Sequence, residues 1–306
     1  MEVYDYPGIH LKKADGEPYA QIRREELQCR FQRFRAEGNI RGLATGGLFI
    51  LRDHPRAAQN IEYLIAETEF ELVSGEYEMG ASEELSELYR CNLVATGSKV
   101  PFRSRLNTPK PVVRGPQTAV ITGPKDAEIH TDKHGRVKVQ FHWDRLGDKD
   151  EKSSCWIRVA QVWAGKGWGG VYNPRVGQEV IVDFLEGDPD RPIITGRVYN
   201  GVQELPYKLP DHQTRTTLMT HSTTKGTDKN FNELRFEDKK DEEEVYFHAE
   251  REFNRVVEEN ETLKVGMDKQ EEGKGDRTVE IFNNRTVTLE KGNDKLQLKT
   301  GNRDIL

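Results

Sequence analysis

The residues best suited to chemistry are three histidines in one short segment. His130, His134 and His142 lie close together, with Asp132 and Asp144 among them. Histidine nitrogens and carboxylate oxygens are common zinc ligands. In a β-hairpin these histidines would share a face only if the turn kept register, and no cysteine or fourth histidine lies nearby. We therefore expect surface and interstrand histidines and no metal site.

A glycine-rich stretch, GKGWGG at 165–170, has the composition of a phosphate-binding loop but not its spacing. It lacks the GxxxxGK[ST] pattern, and no helix is predicted after it. We interpret it as a loop that needs positive φ angles. The sequence also lacks GxSxG, HExxH and a plausible Cys–His pair. It predicts no catalytic residue, no cofactor and no enzyme.

Several tryptophans near arginines suggest the hypothesis that this chain binds single-stranded nucleic acid. Rings flanked by arginines can stack on single-stranded bases, as they do on OB-folds. The alternative is that the rings form barrel core and contacts between copies of a trimer, and the net charge of -6 favours it. The residues concerned are Trp143, Trp156, Trp163 and Trp168, with Arg136, Arg145 and Arg158.

Composition is that of a folded chain without a membrane span. The 306 residues suffice for two or three domains, and no apolar run approaches the ~20 residues that a span needs. The start, MEVYDYPGIH, predicts no signal peptide. Cys29, Cys91 and Cys155 are far apart, and we interpret all three as small buried hydrophobic residues in a reducing compartment.

The first zone, residues 1–113, has mixed α and β patterns. Segment 17–37 predicts an amphipathic helix with Leu27, Phe31 and Phe34 on its apolar face and Gly38 at its end. Three alternating stretches predict strands: LATGGLFIL, IEYLIAETEFEL and ELYRCNLVA. A proline-rich connector follows, with Pro101, Pro109, Pro111 and Pro116.

The second zone, residues 114–205, reads as all β. Five or six short strands with glycine and proline turns predict a small closed barrel. One hairpin is predicted in HTDKHGRVKVQFHWDR, with Lys-His-Gly at its tip and Val137, Val139 and Phe141 on one face. Another is predicted in EVIVDFLEGDPDRPIITGRVYNG, where Asp188, Asp190 and Arg191 would form a turn network.

The third zone, residues 206–306, contains apolar pairs separated by charged stretches. Two inward side chains per strand bury too little surface, at ~25 cal/mol per Å², to offset ~1–2 kcal/mol of ordering entropy per residue. The zone is therefore either disordered or shared between several copies. Regular recurrence with glycines at the corners favours a shared core. The residues predicted for that core are Val245, Phe247, Leu263, Val265, Val279, Ile281, Val287, Leu289, Leu296 and Leu298.

Taken together, these stretches resemble a known family. GPQTAVITGP, EIHTDKHGRVKVQFHWDR, SCWIRVAQVWAGKGWGG and PRVGQEVIVDFLEGDPDRPIITGRVYNG are similar to the central barrel of VgrG proteins, the spike proteins of the type VI secretion system. NELRFEDKK at 232–240 and YDYPG at 4–8 extend the resemblance over nearly the whole chain.

The resemblance implies a mainly β fold in three parts. Residues 1–113 would be the C-terminal part of an α+β hub-like domain with the proline-rich connector, 114–205 an OB-fold barrel, and 206–306 a linker and an intertwined trimeric β-helix. Most of the hub and the C-terminal end would be missing. The hairpin that closes the barrel and leads to the needle would use Val180, Val182, Phe184, Gly187, Pro189 and Pro192.

The function implied by the resemblance is mechanical. The chain would be a homotrimeric, envelope-puncturing tip on a secreted tube. Its partners would be an Hcp-like tube protein, a PAAR-like tip protein, effectors and, transiently, a target membrane, but no nucleic acid and no cofactor. It would assemble in the bacterial cytoplasm and leave through the type VI apparatus without a signal peptide.

Two alternatives stay open at this point. The first is an OB-fold nucleic-acid-binding protein with an acidic tail, which would be a monomer. The second is an enzyme, such as a cell-wall hydrolase carried on a spike. Against the enzyme, only residues 202–231 separate barrel from needle, too few for a catalytic domain.

Overall fold

The computed structural model describes residues 12–72, 89–267 and 274–301, and residues 2, 4, 6, 8 and 10. The chain forms two compact units, Met1–Gln117 with Val182–Ile193 and Thr118–Ile181 with Ile194–Leu306. Strands far outnumber helices in the described ranges, so the predicted mainly β class is confirmed. Within those ranges, no helix combines the length and apolar character needed to cross a membrane.

The regular elements have the following bounds. The helix α1 is Lys13–Gln28, and the strands are β1 Phe34–Gly38, β2 Leu48–Ile50, β3 Glu62–Leu72, β4 Tyr89–Gly97, β5 Gln117–Thr122, β6 Lys138–Phe141, β7 Arg158–Val159, β8 Trp163–Ala164, β9 Gly169–Gly170, β10 Glu179–Phe184, β11 Pro192–Val198, β12 Arg215–His221, β13 Phe231–Glu237 and β14 Glu244–His248. Short 3-10 turns lie at Ala57–Gln59 and Leu185–Gly187.

The predicted helix over 17–37 is wrong in its second half. Helix α1 ends at Gln28, and Phe34 begins strand β1. Leu27 and Phe31 are exposed, so the expected apolar stripe is not buried. Phe34 instead packs edge-on against buried Tyr63, with ring centroids 4.9 Å apart. This aromatic contact favours a strand and overrides the local helical pattern.

The first sheet has the order β1-β4-β3-β2 and supplies the core of the first unit. Tyr63, Ile65, Leu93 and Ala95 are buried in it. The three predicted strands are thus present, although the first is formed only at Leu48–Ile50. Residues 87 and 88 of the third lie outside the described residues.

The second sheet has five strands in the order β6-β5-β10-β11-β7. Its two outer strands are joined where they begin, because Val137 and Ile157 exchange backbone hydrogen bonds of 3.0 and 2.8 Å. Both residues are buried. This bridge connects the edges and gives the sheet the barrel closure that the short strands and turns predict.

Two details of the barrel refine the prediction. A tight turn forms at 132–136, where the Asp132 N–H donates to the Arg136 carbonyl at 3.1 Å. The residues before this turn are not a strand, however, and β6 pairs with β5 instead. The expected hairpin is therefore wrong in its pairing, since turn chemistry fixes a reversal of the chain but not the partner strand.

The hairpin β10–β11 alternates as expected in its first strand. Val180 and Val182 are fully buried, and Phe184 is half-buried on the same side. Gly187 and Pro192 are half-buried, whereas Pro189 is exposed at the tip.

The hairpin tip holds the proline-rich connector. The predicted turn network is present, with the Asp190 N–H donating to Asp188 Oδ1 at 2.9 Å. The sequence reasoning missed Lys110, whose Nζ donates to Asp188 Oδ2 at 2.7 Å and holds the pKa of that carboxyl below its ordinary value. The Val113 N–H also donates to the Gly187 carbonyl at 2.8 Å. The tip thereby fixes a segment that has no strand partner of its own.

Gly187 offers a test of this contact. Its φ is +67°, and a Cβ would lie 2.7 Å from Val112 Cγ1. We expect Gly187→Ala to destabilise the first unit by about 1–2 kcal/mol from backbone strain alone, and by more from the clash. Urea unfolding followed by fluorescence measures the effect. Gly201→Ala is the matched control because a Cβ there meets nothing within 4 Å; equal midpoints for the two variants would contradict the account.

Candidate interaction surface

The third sheet, β12-β13-β14, has two faces of opposite chemistry. The antiparallel register places Leu218 beside Leu234 and Phe247, and Phe236 beside Val245. Residues that are directly paired share a face, and alternate residues along a strand share it too. The face so defined, called the apolar face below, consists of Thr216, Leu218, Thr220, Asn232, Leu234, Phe236, Val245 and Phe247.

The apolar face is exposed in the single chain. Phe247 is 65% exposed and Val245 61%, while Leu218 is 47% and Phe236 40% exposed. Large side chains of this kind normally face the interior of a sheet protein. The sheet is therefore inverted relative to an ordinary half-buried sheet.

The opposite face is charged and covered by the same chain. The centre of this charged network is Glu233, which is 5% exposed. It accepts hydrogen bonds from the Tyr207 hydroxyl at 2.5 Å and the Thr217 hydroxyl at 2.8 Å. Burial, and next the bond to Glu233, raise the pKa of Tyr207. The buried carboxylate thus has close polar partners, as burial of a charge requires.

Arg235 holds this face together. Its guanidinium lies 4.4 Å from the centre of the Tyr246 ring and donates to Glu244 at 2.7 Å. It also donates to the Tyr207 hydroxyl at 3.0 Å. The bond to Glu244, and next the bond to Tyr207, raise the pKa of Arg235, so the charge is retained. An arginine stacked on an aromatic ring and paired with a carboxylate fixes both groups.

A second ion pair lies at the start of the sheet. Arg215 Nε donates to Glu237 at 2.9 Å, and the Thr214 hydroxyl donates to the same carboxylate. The hydrogen bonds from Thr214 and Arg215 lower the pKa of Glu237 to about 2. The Arg215 guanidinium also lies 4.9 Å from the Tyr207 ring centre.

Beyond β14 the apolar character continues along the chain. Phe253 lies 6.5 Å from Phe247 between ring centroids, and with Leu218 and Leu234 the two line an open groove of about 450 Å³. Residues 252–267 and 274–301 form no helix or strand and are exposed throughout. All ten residues predicted for the shared core are exposed: Val245, Phe247, Leu263, Val265, Val279, Ile281, Val287, Leu289, Leu296 and Leu298.

The glycines of this segment have the geometry that the pattern predicts. Gly266, Gly292 and Gly301 each follow an apolar pair. Their φ angles are +67°, +114° and +98°, in the left-handed region that favours glycine. Each pair is therefore followed by a backbone conformation that other residues would resist.

The histidines occupy ordinary structural positions. His130 packs against Trp156 with ring centroids 4.9 Å apart. His142 Nε2 lies 3.1 Å from the Thr118 hydroxyl, and the backbone of His134 donates to Asp132 at 2.9 Å. Among residues that the structure describes, no three His, Cys, Asp or Glu side chains converge as a metal site would need.

The glycine-rich stretch forms the turn and second strand of a short hairpin and contains the positive φ angles that the sequence predicts. Strands β8 and β9 pair Trp163 with Gly170, and the Gly165 N–H donates to the Trp168 carbonyl at 2.9 Å. Gly167 and Gly169 have φ angles of +79° and +133°.

Two burial predictions are wrong in the single chain. Trp143, Trp163 and Trp168 are at least 59% exposed and do not form barrel core, while their predicted contacts between copies stay a prediction. Trp163 and Trp168 belong to two-residue strands or the loop between them, and they pack edge-on against each other at 5.1 Å. Cys155 is also exposed, unlike Cys29 and Cys91, because it lies in the loop before β7 rather than in a strand.

The sequence reasoning missed the sheet β12–β14 itself. A signal was present: Glu233, Arg235 and Glu237 alternate with Leu234 and Phe236. That period of two marks a strand with one charged and one apolar face. It does not indicate which of the two faces the chain covers.

Three protein-family models match successive parts of this chain. Residues 118–199 match the family "Type VI secretion system/phage-baseplate injector OB domain". Residues 216–304 match the "Bacteriophage T4 gp5 C-terminal trimerisation domain", and residues 1–76 match the "Phage tail baseplate hub (GPD)". Separate parts of the chain are therefore similar to a phage baseplate hub, an OB domain and a trimerisation domain.

Individual curated proteins are similar over most of this chain. The type VI secretion system spike protein VgrG1a of Pseudomonas aeruginosa is 52% identical over 264 residues, which are 86% of this chain and 41% of that protein. VgrG1b of the same organism is 51% identical over 267 residues, 87% of this chain and 36% of that protein. The resemblance to VgrG proteins is confirmed, and this chain spans about two fifths of the length of these curated relatives.

One solved structure is also similar. It is described as the E. coli c3393 protein, a component of the type VI secretion system with structural similarity to the phage tail proteins gp27 and gp5. It is 23% identical, covers 61% of this chain and 45% of its own, and has a TM-score of 0.42.

Acid should weaken the charged network through Glu237. Because its folded pKa of about 2 lies below the ordinary 4.5, its stabilisation is present above pH 4.5 and is lost as the pH falls towards 2. We expect Glu237→Gln to lower the urea midpoint at pH 7 and to approach the wild type near pH 2. Glu243→Gln, at an exposed carboxylate before β14, is the control. A Glu237→Gln deficit that stays constant from pH 7 to 2 would contradict the role given to this carboxylate.

Proposed function

We propose that this chain is a homotrimeric, envelope-puncturing spike component whose apolar face and apolar pairs are covered by the other two copies. The observation that carries the proposal is the inverted sheet, with its charged face covered by its own chain and its apolar face exposed. The family named for trimerisation matches residues 216–304, which include this sheet and the segment after it.

The free energy of apolar burial favours association of copies over leaving the apolar face exposed to water. Burying a large apolar side chain is worth about 1.5–3 kcal/mol relative to leaving it in water. Isolated soluble proteins rarely expose a continuous apolar surface of this kind. Three copies that share one core would remove it from water and would place the intervening charged residues outside.

The proposed action is mechanical rather than catalytic. Interleaved chains cannot fray one at a time, so a trimeric needle would stay rigid under a driving force. We propose that the chain acts as the tip of a secreted tube, with an Hcp-like tube protein, a PAAR-like tip protein and effectors as partners and the target membrane as a transient contact. Assembly in the cytoplasm and export through the type VI apparatus belong to the same proposal.

The competing function, nucleic-acid binding by an OB-fold with an acidic tail, has no support among the matched families or relatives. The homologues named above are spike proteins.

The solution mass tests the proposal. Light scattering on a sizing column is expected to give about three times the 35.1 kDa chain mass. A monomer at micromolar concentration would contradict it.

A matched pair of variants tests where the copies meet. Val287→Asp places a charge on the proposed inner side, whereas Thr288→Asp places it on the alternate side of the same segment. We expect the first to lower the urea concentration at which the trimer dissociates, because a charge would be buried without a partner. The second is expected to behave like the wild type. Equal effects would show that these two sides of the segment are equivalent.

A further inference from the structure

We propose that the sheet β12–β14 is the site at which copies of this chain first associate, and that the segment after it is ordered by that association. This inference rests on the proposed homotrimer. It adds an order of assembly and assigns the first contact to the apolar face.

The sheet is already built in the single chain. Its strands pair along Arg215–His221 with Phe231–Glu237, and along Phe231–Glu237 with Glu244–His248. The charged network joins residues distant in sequence, since Tyr207 and Glu233 are 26 positions apart. No second copy is needed to form these contacts.

The sheet is also fixed to the rest of the second unit. Arg175 donates from Nη2 to the His221 carbonyl at 2.5 Å, at the end of β12. The Lys225 N–H donates to Glu128 Oε1 at 2.5 Å, in the loop before β13. These bonds connect the sheet to residues 128 and 175 of the same unit, so the apolar face is presented in a defined orientation.

The segment after the sheet, in contrast, has no paired strands among its described residues in the single chain. Residues 252–267 and 274–301 have no strand partner in the single chain and are exposed. Ordering them costs about 1–2 kcal/mol per residue of backbone entropy. An interface that is already ordered avoids this cost when it binds, and the preformed sheet is therefore the favoured first contact.

The occupant of the apolar face is a second copy of the same chain. The eight residues of this face include no charged side chain, although 32% of the chain is charged. The same face on another copy therefore meets it without like-charge repulsion or desolvation of a charge. The face is also continuous, through Phe247 and Phe253, with the segment that carries the other apolar pairs.

The test compares two double variants of the full chain. Leu218→Ser/Phe247→Ser alters the sheet, and Val279→Ser/Ile281→Ser removes the same kind of surface from the segment. Each is refolded by dilution from urea, and native mass spectrometry of timed samples follows trimer formation. Leu146→Ser, at a barrel-loop residue that is 95% exposed, is the control for loss of an exposed leucine.

The expected results differ for the two variants. The sheet variant should form trimers more slowly by about tenfold or more, because substitutions in a nucleus slow formation. The segment variant should form them at the wild-type rate but lose them at a lower urea concentration. Circular dichroism and tryptic stability of the monomer should be unchanged in the sheet variant, since both of its residues are exposed in the single chain.

A third variant tests the support behind the face. Arg235→Met leaves all eight residues of the apolar face in place but removes the stacked guanidinium between Tyr246 and Glu244. If a preformed sheet is the first contact, this variant should also slow trimer formation. A wild-type rate for it would contradict the inference.

Other outcomes are equally decisive. Equal slowing by the sheet and segment variants would mean concerted assembly, and slowing by the segment variant alone would reverse the proposed order. Either result contradicts the inference while leaving the trimer intact. A monomeric wild-type chain would instead contradict the proposed function.

Discussion

The sheet β12–β14 depends on one charged network, which lies on the face that the chain itself covers. Glu233 and Arg235 are held by Tyr207, Tyr246 and Glu244 on the inner side of the sheet. Removing one member of a buried charge pair costs about 3–5 kcal/mol, so the groups of this network depend on one another. The chain itself covers this charged face, whereas the apolar face is exposed and is the surface proposed to bind other copies.

The barrel and the hairpin β10–β11 are stabilised by contacts of their own. The bridge between Val137 and Ile157 joins the outer strands of the five-stranded sheet. The tip of the hairpin β10–β11 binds the proline-rich connector. Lys110 of the connector donates to Asp188, and the Val113 N–H donates to the Gly187 carbonyl. The hairpin thus fixes the connector, which suits a chain proposed to transmit force.

Sequence reasoning predicted what depends on local pattern. The alternation of Val180 and Val182, the turn at Asp188 and the positive φ angles at Gly266 and Gly292 follow from residue type. It failed where contacts between residues distant in sequence determine the secondary structure. Phe34 was predicted in the helix but begins a strand, because its ring packs against Tyr63. The orientation of the third sheet was equally out of reach, because an alternating strand does not show which face Tyr207 will cover.

The most direct test of the account is hydroxyl-radical footprinting of Phe247 in the native full chain. In a single chain this ring is 65% exposed, so an isolated chain would be oxidised at about that fraction of its rate in urea. The account predicts strong protection, because a second copy covers the ring, with Leu146 oxidised freely in the same sample as an exposed reference. A native rate for Phe247 near the single-chain value would contradict the claim that the apolar face is an interface.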